Sequence, residues 1–148
     1  MMTQTETSGA ATSMFTPAEL AFLKTQQLCR IATANAKGQP HVTPVAFHYN
    51  ADTNTFVIGG HGGFAKRKKW RDVDQNPQVA IVFDAITSYS PWKVAGIEIR
   101  GMAKQMATGG EVLGPGFDAD SFIVTPKRII SWGIEGDAYG PANARSVG

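Results

Sequence analysis

The fold is decided by residues 28–60, which read LCRIATANAKGQPHVTPVAFHYNADTNTFVIGG. Residues 28–35 form a strand-like apolar run, residues 40–49 alternate between two faces, and residues 55–60 form a third apolar run. The two connections between these runs are short and rich in turn-forming residues. Three strands joined in this way predict an antiparallel meander.

Outside this stretch, the sequence predicts two helices and further strands. Thr16 suits a helix N-cap and Glu19 completes a capping box, which places the first helix just before the meander. A second helix is expected over residues 64–75. Strands are expected over residues 79–83, over residues 94–105 with Met102 near the core, and over residues 122–132 as one strand or as a pair joined at Pro126. Residues from Gly136 onward show no clear element.

These elements predict a mainly β fold with six or so antiparallel strands and two helices. Many short antiparallel strands usually avoid free edges by closing, so the expected architecture is a barrel. The 148 residues suffice for one domain. We expect a flexible tail over residues 1–13, which lack a hydrophobic period, and a single folded domain over residues 14–148.

Composition points to a cytoplasmic protein without a membrane span. No apolar run approaches the roughly 18 residues that a transmembrane helix needs, and the N-terminus lacks the basic start and apolar segment of a signal peptide. Cys29 is the single cysteine and lies in a strand-like apolar run, so an internal disulfide is excluded and a reduced compartment is favoured.

Positive charge is concentrated in one short segment. Lys66, Arg67, Lys68, Lys69 and Arg71 are five of the 14 basic residues, and without them the chain has a formal charge of −3. Such a spot indicates a local anion more than a surface coated for nucleic acid or membrane. A nucleic-acid-binding β-barrel, which pairs a basic groove with exposed aromatic residues, remains the least favoured alternative.

The segment before these cations is rich in glycine. Residues 59–63 contain four glycines around His61, at the point where the third strand ends. Free backbone N–H groups, together with two or three of the cations, would suit a phosphate. A solvated basic helix is an equally open interpretation at this point. The five cations spread around a helix, so not all of them can contact one ligand.

No catalytic or metal-binding constellation is evident. His41 and His48 are an odd number of positions apart in one strand and face opposite sides, and Cys29 adds no ligand spacing. We find no nucleophile paired with a base, so the catalytic residues are unknown and no metal is expected. An anion site without a catalytic acid or base fits an enzyme whose cofactor supplies the chemistry, and also a pure binding protein.

Several motifs in order resemble a known family. Residues 30–33, the stretch 37–45 (KGQPHVTPV), the glycine-rich strand end, the basic helix and residues 76–80 (NPQVA) resemble the pyridoxamine 5′-phosphate oxidase-like flavin and deazaflavin oxidoreductases. They are most similar to the actinobacterial branch that uses coenzyme F420. The resemblance covers residues 15–135, although the chain ends without a later segment for holding pyridoxal phosphate, which argues against vitamin B6 oxidation.

The resemblance implies a homodimeric split β-barrel with cofactor sites in the dimer grooves. It implies an F420-dependent hydride transfer to a small conjugated organic molecule, with an FMN-dependent oxidase or reductase and a non-catalytic cofactor-binding protein as alternatives. The ring of the cofactor would lie near Thr43, Pro44, Val45, Ile58, Gly59 and Gly60, and its phosphate end would meet His61, Lys66, Arg67 and Lys69.

Overall fold

The computed structural model describes residues 12–148. The expected tail over residues 1–13 therefore lies outside the described residues, apart from Thr12 and Ser13. No helix in the described part of the chain is long and apolar enough to span a membrane.

The described chain contains seven strands, two α-helices and two single-turn 3₁₀ helices. In chain order the elements are α1 Pro17–Lys24, β1 Cys29–Ala34, β2 Pro40–Asn50, β3 Thr55–Gly59, a 3₁₀ helix Phe64–Lys66, α2 Lys68–Gln75, β4 Gln78–Tyr89, β5 Trp92–Met106, a 3₁₀ helix Gly110–Leu113, β6 Ser121–Trp132 and β7 Asn143–Ser146.

The strands form one antiparallel sheet that closes on itself. Its order is β3-β2-β1-β4-β5-β6-β7, and β3 also pairs with β6, with Ile58 opposite Phe122. Strands β1 to β6 therefore make a closed six-stranded barrel, and β7 extends the sheet outside it. The predicted meander of β1 to β3 and the barrel architecture are both confirmed.

The core fills the inside of the barrel with aromatic and β-branched side chains. Phe56 and Phe83 have ring centroids 5.6 Å apart, and both are inaccessible to solvent. Alternate residues of β5 point inward, so Ile97, Ile99 and Ala103 are buried. The same alternation turns Met102 outward, with 37% of it exposed, so the expected core position of Met102 was wrong.

Two further expectations need correction. The predicted helix over residues 64–75 is divided, because Arg67 adopts an extended conformation between the 3₁₀ helix and α2. The C-terminal segment contains a strand, β7, which pairs with β6. Three of its four residues are polar and the fourth is Ala144, and all but Arg145 are exposed, so no hydrophobic alternation marks it in the sequence. Residues 121–132 form one strand, with Pro126 at an irregularity in the β5–β6 pairing.

The capping box of α1 is confirmed and does more than start the helix. Thr16 Oγ1 accepts a hydrogen bond from the Glu19 amide, and Glu19 Oε1 accepts one from the Thr16 amide. The Glu19 carboxylate is fully buried and also accepts hydrogen bonds from Ser131 Oγ at 2.6 Å and from Arg145 Nη1 at 3.0 Å. The cap therefore joins α1 to strands β6 and β7.

Candidate functional site

A cleft of about 300 Å³ lies where β3 ends and the glycine-rich segment begins. Strand β2, the glycine-rich segment, the residues before and within α2, and the loop before β6 each contribute to its walls. The residues that line it are Pro44, Val45, Ala46, Gly59, Gly60, His61, Phe64, Arg67, Lys69 and Phe117. Seven of the ten cofactor-binding residues predicted from the sequence are in this set.

The glycines are required mainly by the protein's own packing. A Cβ atom on Gly59 would come within 2.8 Å of Leu113 Cδ1, and one on Gly60 within 3.0 Å of Phe64 Cδ1. Gly63 has a φ of +103°, in the left-handed region that favours glycine. Close packing and backbone conformation therefore account for these glycines without a ligand.

The loop before β6 supplies a carboxylate that the sequence did not lead us to expect. Asp118 Oδ2 accepts hydrogen bonds from the amides of Gly63 at 2.8 Å and Phe64 at 2.7 Å. The hydrogen bonds from the Phe64 and Gly63 amides lower the pKa of Asp118, so this carboxyl is ionised at neutral pH. These two amides are consequently not free for a phosphate, contrary to the expectation from the sequence.

His61 is fixed against the same loop. Its Nδ1 lies 2.9 Å from the carbonyl oxygen of Gly116, and its ring lies 3.9 Å from the Phe117 ring, centroid to centroid. Because a carbonyl oxygen only accepts, Nδ1 must be the protonated nitrogen in this contact. The neutral ring would therefore leave Nε2 as an acceptor.

Two cations line the cleft without an acidic partner. Arg67 Nη2 donates a hydrogen bond to the His61 carbonyl at 3.0 Å, and Lys69 Nζ lies 5.9 Å from the centre of the Phe64 ring. Within residues 12–148, no carboxylate forms a salt bridge with either side chain. Partial burial, and next the charge of Arg67, lower the pKa of Lys69. The cleft therefore has positive charge that the described protein does not balance.

The other three cations of the cluster point elsewhere. Lys68 Nζ forms a salt bridge with Asp72 at 2.9 Å, and Arg71 Nη1 donates to the Lys66 carbonyl at 2.9 Å. Lys66 is exposed and is not among the lining residues. The cations thus divide into two that face the cleft and three that do not.

Two further predicted residues, Ile58 and Thr43, do not line the cleft. The Ile58 side chain is fully buried in the barrel core, so only its backbone is available to a ligand. Thr43 adjoins the lining residue Pro44, and its Oγ1 is buried without a hydrogen-bond partner within the described range.

The sequence analysis missed the lining residues Ala46, Phe64 and Phe117, and the adjacent Asp118. Ala46 and Phe64 lie next to predicted residues, so sequence proximity was the available signal. Phe117 and Asp118 are more than 50 positions from the glycine-rich segment, and only the pairing of β3 with β6 brings them to it.

Other groups of the described chain offer little reactivity. No cluster of metal-ligating residues is found in residues 12–148. Burial raises the pKa of the Cys29 thiol to about 12, so this thiol is a protonated core side chain. A larger cavity of about 580 Å³ lies between α1 and β2, and none of the predicted site residues lines it.

Comparison with known sequences identifies the family of the chain. The family model described as pyridoxamine 5′-phosphate oxidase matches residues 15–121. A Streptomyces rimosus protein named 5a,11a-dehydrotetracycline/5a,11a-dehydrooxytetracycline reductase is 35% identical over 133 residues, which are 90% of this chain and 93% of the relative. Both names denote oxidoreductases.

Solved structures share the fold at low sequence identity. HupZ of Group A Streptococcus matches with a TM-score of 0.65 and 20% identity, over 86% of this chain and all of that chain. A heme binding protein from Mycobacterium smegmatis matches with a TM-score of 0.64 and 15% identity, over 91% of this chain and 60% of that chain. At such identities these structures establish the split-barrel fold alone. The extent of the family match and the identity to the reductase show that the chain belongs to the pyridoxamine 5′-phosphate oxidase family.

Proposed function

We propose that the protein is an oxidoreductase that binds the deazaflavin coenzyme F420 in this cleft and reduces a small conjugated organic molecule. The observation that supports this most strongly is the pair Arg67 and Lys69, which line the cleft and have no carboxylate partner in the described chain. The proposal retains the cofactor site predicted from the sequence, except for Lys66, which does not line the cleft.

An anionic ligand would remove an electrostatic cost at this pair. Burial, and next the charge of Arg67, lower the pKa of Lys69, and this second cause means that the two charged side chains repel each other in the free protein. A phosphate between them would form charge-assisted hydrogen bonds with both side chains. Arg67 is already oriented by its hydrogen bond to the His61 carbonyl, which reduces the ordering required on binding.

The opposite wall of the cleft suits the ring end of the same ligand. Pro44, Val45 and Ala46 present apolar surface from β2, and Gly59 and Gly60 leave the end of β3 without side chains on this wall. A deazaflavin ring, when bound, supplies the hydride chemistry. The chain's residues orient the ring, hold the phosphate and exclude water.

The relative supports the class of substrate. The name of the Streptomyces rimosus protein specifies a dehydro form of a tetracycline as the molecule that it reduces. That form has an additional double bond compared with the parent compound, which agrees with the conjugated acceptor proposed from the sequence.

A second subunit is part of the proposal. A volume of about 300 Å³ is at the lower limit for a pocket that buries a ligand of drug size, and the coenzyme is larger than that. Val42, on β2 two residues before Pro44, is 64% exposed. We propose that a homodimer covers this apolar surface and completes the groove, in a reduced cytoplasmic setting.

Cofactor titration of the purified protein tests the proposal. We expect saturable binding of F420 at micromolar concentration, followed by turnover of reduced F420 in a screen of conjugated acceptors. A yellow protein with flavin absorption as purified would favour the FMN-dependent alternative, and binding without any turnover would favour a cofactor carrier. Absence of saturable binding of both F420 and FMN would contradict the proposal.

A further inference from the structure

The cleft has an internal anion at the position where a phosphate would ordinarily find backbone donors. Consecutive amides in a glycine-rich turn are common anion-binding groups, and here the amides of Gly63 and Phe64 both donate to Asp118 Oδ2. The protein's own carboxylate thus takes the place of a ligand oxygen.

Asp118 is held there from several directions. Its backbone amide donates to the Gly60 carbonyl at 2.9 Å. The preceding residues are fixed by the hydrogen bond of His61 Nδ1 to the Gly116 carbonyl and by the contact between the rings of His61 and Phe117. These contacts fix the loop backbone around Asp118, which keeps its carboxylate within reach of the two amides.

The charges at the cleft then favour one type of phosphate. Arg67 and Lys69 contribute two positive charges and Asp118 one negative charge, which leaves a net charge of +1. A phosphate monoester has a charge of about −1.5 to −2 at pH 7 and three terminal oxygens that need donors. A phosphate diester has a single negative charge and two such oxygens, which the two cations can satisfy.

We infer that Asp118 is a specificity-determining residue that favours a coenzyme with a phosphate diester over one with a terminal phosphate monoester. The inference rests on the proposed function and deepens it, because the phosphate of F420 is a diester and that of FMN is a monoester. Asp118 acts by occupying the Gly63 and Phe64 amides and by repelling the additional negative charge.

The test compares Asp118→Asn with the wild type in equilibrium titrations of F420 and FMN. An asparagine oxygen can still accept from the two amides, so the substitution removes charge and keeps the loop. We expect the ratio of the FMN and F420 dissociation constants to change by about tenfold in favour of FMN. Asp120→Asn is the matched control, since Asp120 is two residues away and its side chain has no hydrogen bond to the glycine-rich segment among those of the described chain. It should leave the ratio unchanged.

The outcomes separate this inference from the proposed function. Equal losses of affinity for both coenzymes in Asp118→Asn would assign a merely structural role to Asp118 and overturn the inference, and so would an unchanged ratio. If neither coenzyme binds the wild type, the proposed function itself fails. A second measurement adds riboflavin: the gain in affinity from riboflavin to FMN should be about tenfold larger in Asp118→Asn than in the wild type, and an equal gain in the two proteins would overturn the inference.

Discussion

Two regions of the molecule gather charged side chains, and only one of them is electrically balanced. Between α1 and β7, the buried carboxylate of Glu19 receives hydrogen bonds from Arg145, Ser131 and the Thr16 amide. At the cleft, Arg67 and Lys69 lie beside each other, and no carboxylate within residues 12–148 forms a salt bridge with them. The difference separates charge used to hold the fold from charge left for a ligand.

The physical reason is the cost of an unpaired charge. A buried ion without a partner is strongly unfavourable, so a structural charge in the interior is matched within the protein. A partly exposed cation can remain unmatched at a smaller cost because water solvates it. Stability should therefore depend on the Glu19 cluster, and ligand affinity on the cleft cations.

The largest expected effect is on stability, at the balanced region. Glu19→Ala removes the helix cap and leaves Arg145 without its partner. Because the Arg145 side chain is 26% exposed and regains some solvation, we expect a loss of about 2–4 kcal/mol in the free energy of unfolding. Urea denaturation measures this loss.

Glu135→Ala is the matched control for that substitution. Glu135 Oε1 also accepts a hydrogen bond from Thr16, at 2.8 Å, but the contact is exposed. A loss of less than about 1 kcal/mol is expected for this variant. Similar losses of unfolding free energy in the two variants would show that the buried contacts of Glu19 stabilise the protein no more than the exposed contact of Glu135.

The second effect is on ligand affinity, at the unbalanced region. Arg67→Ala should weaken F420 binding by about 1–3 kcal/mol, the usual value of a hydrogen bond to a charged group. The melting temperature of the free protein should stay the same or rise slightly, because the substitution relieves repulsion of Lys69. Isothermal titration and thermal denaturation measure the two quantities.

Arg71→Ala, a substitution within α2 four residues further along the chain, provides the comparison. Arg71 has the same charge as Arg67 and donates to the Lys66 carbonyl outside the cleft. F420 affinity should change little in this variant. Equal losses of F420 affinity in the two arginine variants would show that the cations lining the cleft contribute no more to binding than the other cations of residues 66–71.

The third effect is a dependence of stability on acid pH. Burial by itself raises the pKa of Glu19, but the hydrogen bonds from Arg145, Ser131 and the Thr16 amide outweigh it and lower the pKa below the ordinary value. The stabilisation by Glu19 is therefore complete above the ordinary pKa of a glutamate and is lost as the pH falls through the lowered folded-state value. Glu19→Gln, measured by urea denaturation at a series of acid pH values, should show a shallower decline than the wild type. Identical declines of the unfolding free energy in the wild type and in Glu19→Gln would show that Glu19 does not contribute to the loss of stability in acid.

The sequence was sufficient for the barrel because the barrel depends on local patterns. Alternation in β2, the short turns around it, and the Thr16 to Glu19 capping box each follow from neighbouring residues. It was insufficient for β7, whose polar residues are placed by pairing with β6 and by the contact of Arg145 with Glu19. Tertiary contact, and not propensity, determines that strand.

The same limit applies to the site. Residues of the glycine-rich segment and of the following cations were predicted because they lie together in the chain. The role of Asp118 depends on a hydrogen bond across 55 positions, whereas the salt bridge of Lys68 with Asp72 joins residues four apart within α2. The first contact has no signal in residue type or spacing. The second has one, opposite charges four residues apart on a predicted helix, which the sequence analysis did not use.

The adjacent lysines offer the most direct test of the central claim, that unmatched charge marks the coenzyme site. Equilibrium titration of F420 should be performed with the wild type, Lys68→Ala and Lys69→Ala. Lys69→Ala is expected to raise the dissociation constant about tenfold or more, whereas Lys68→Ala, which removes the partner of Asp72, should lower stability by about 1 kcal/mol and leave the affinity unchanged. Equal affinities in all three proteins, or a loss confined to Lys68→Ala, would contradict the account.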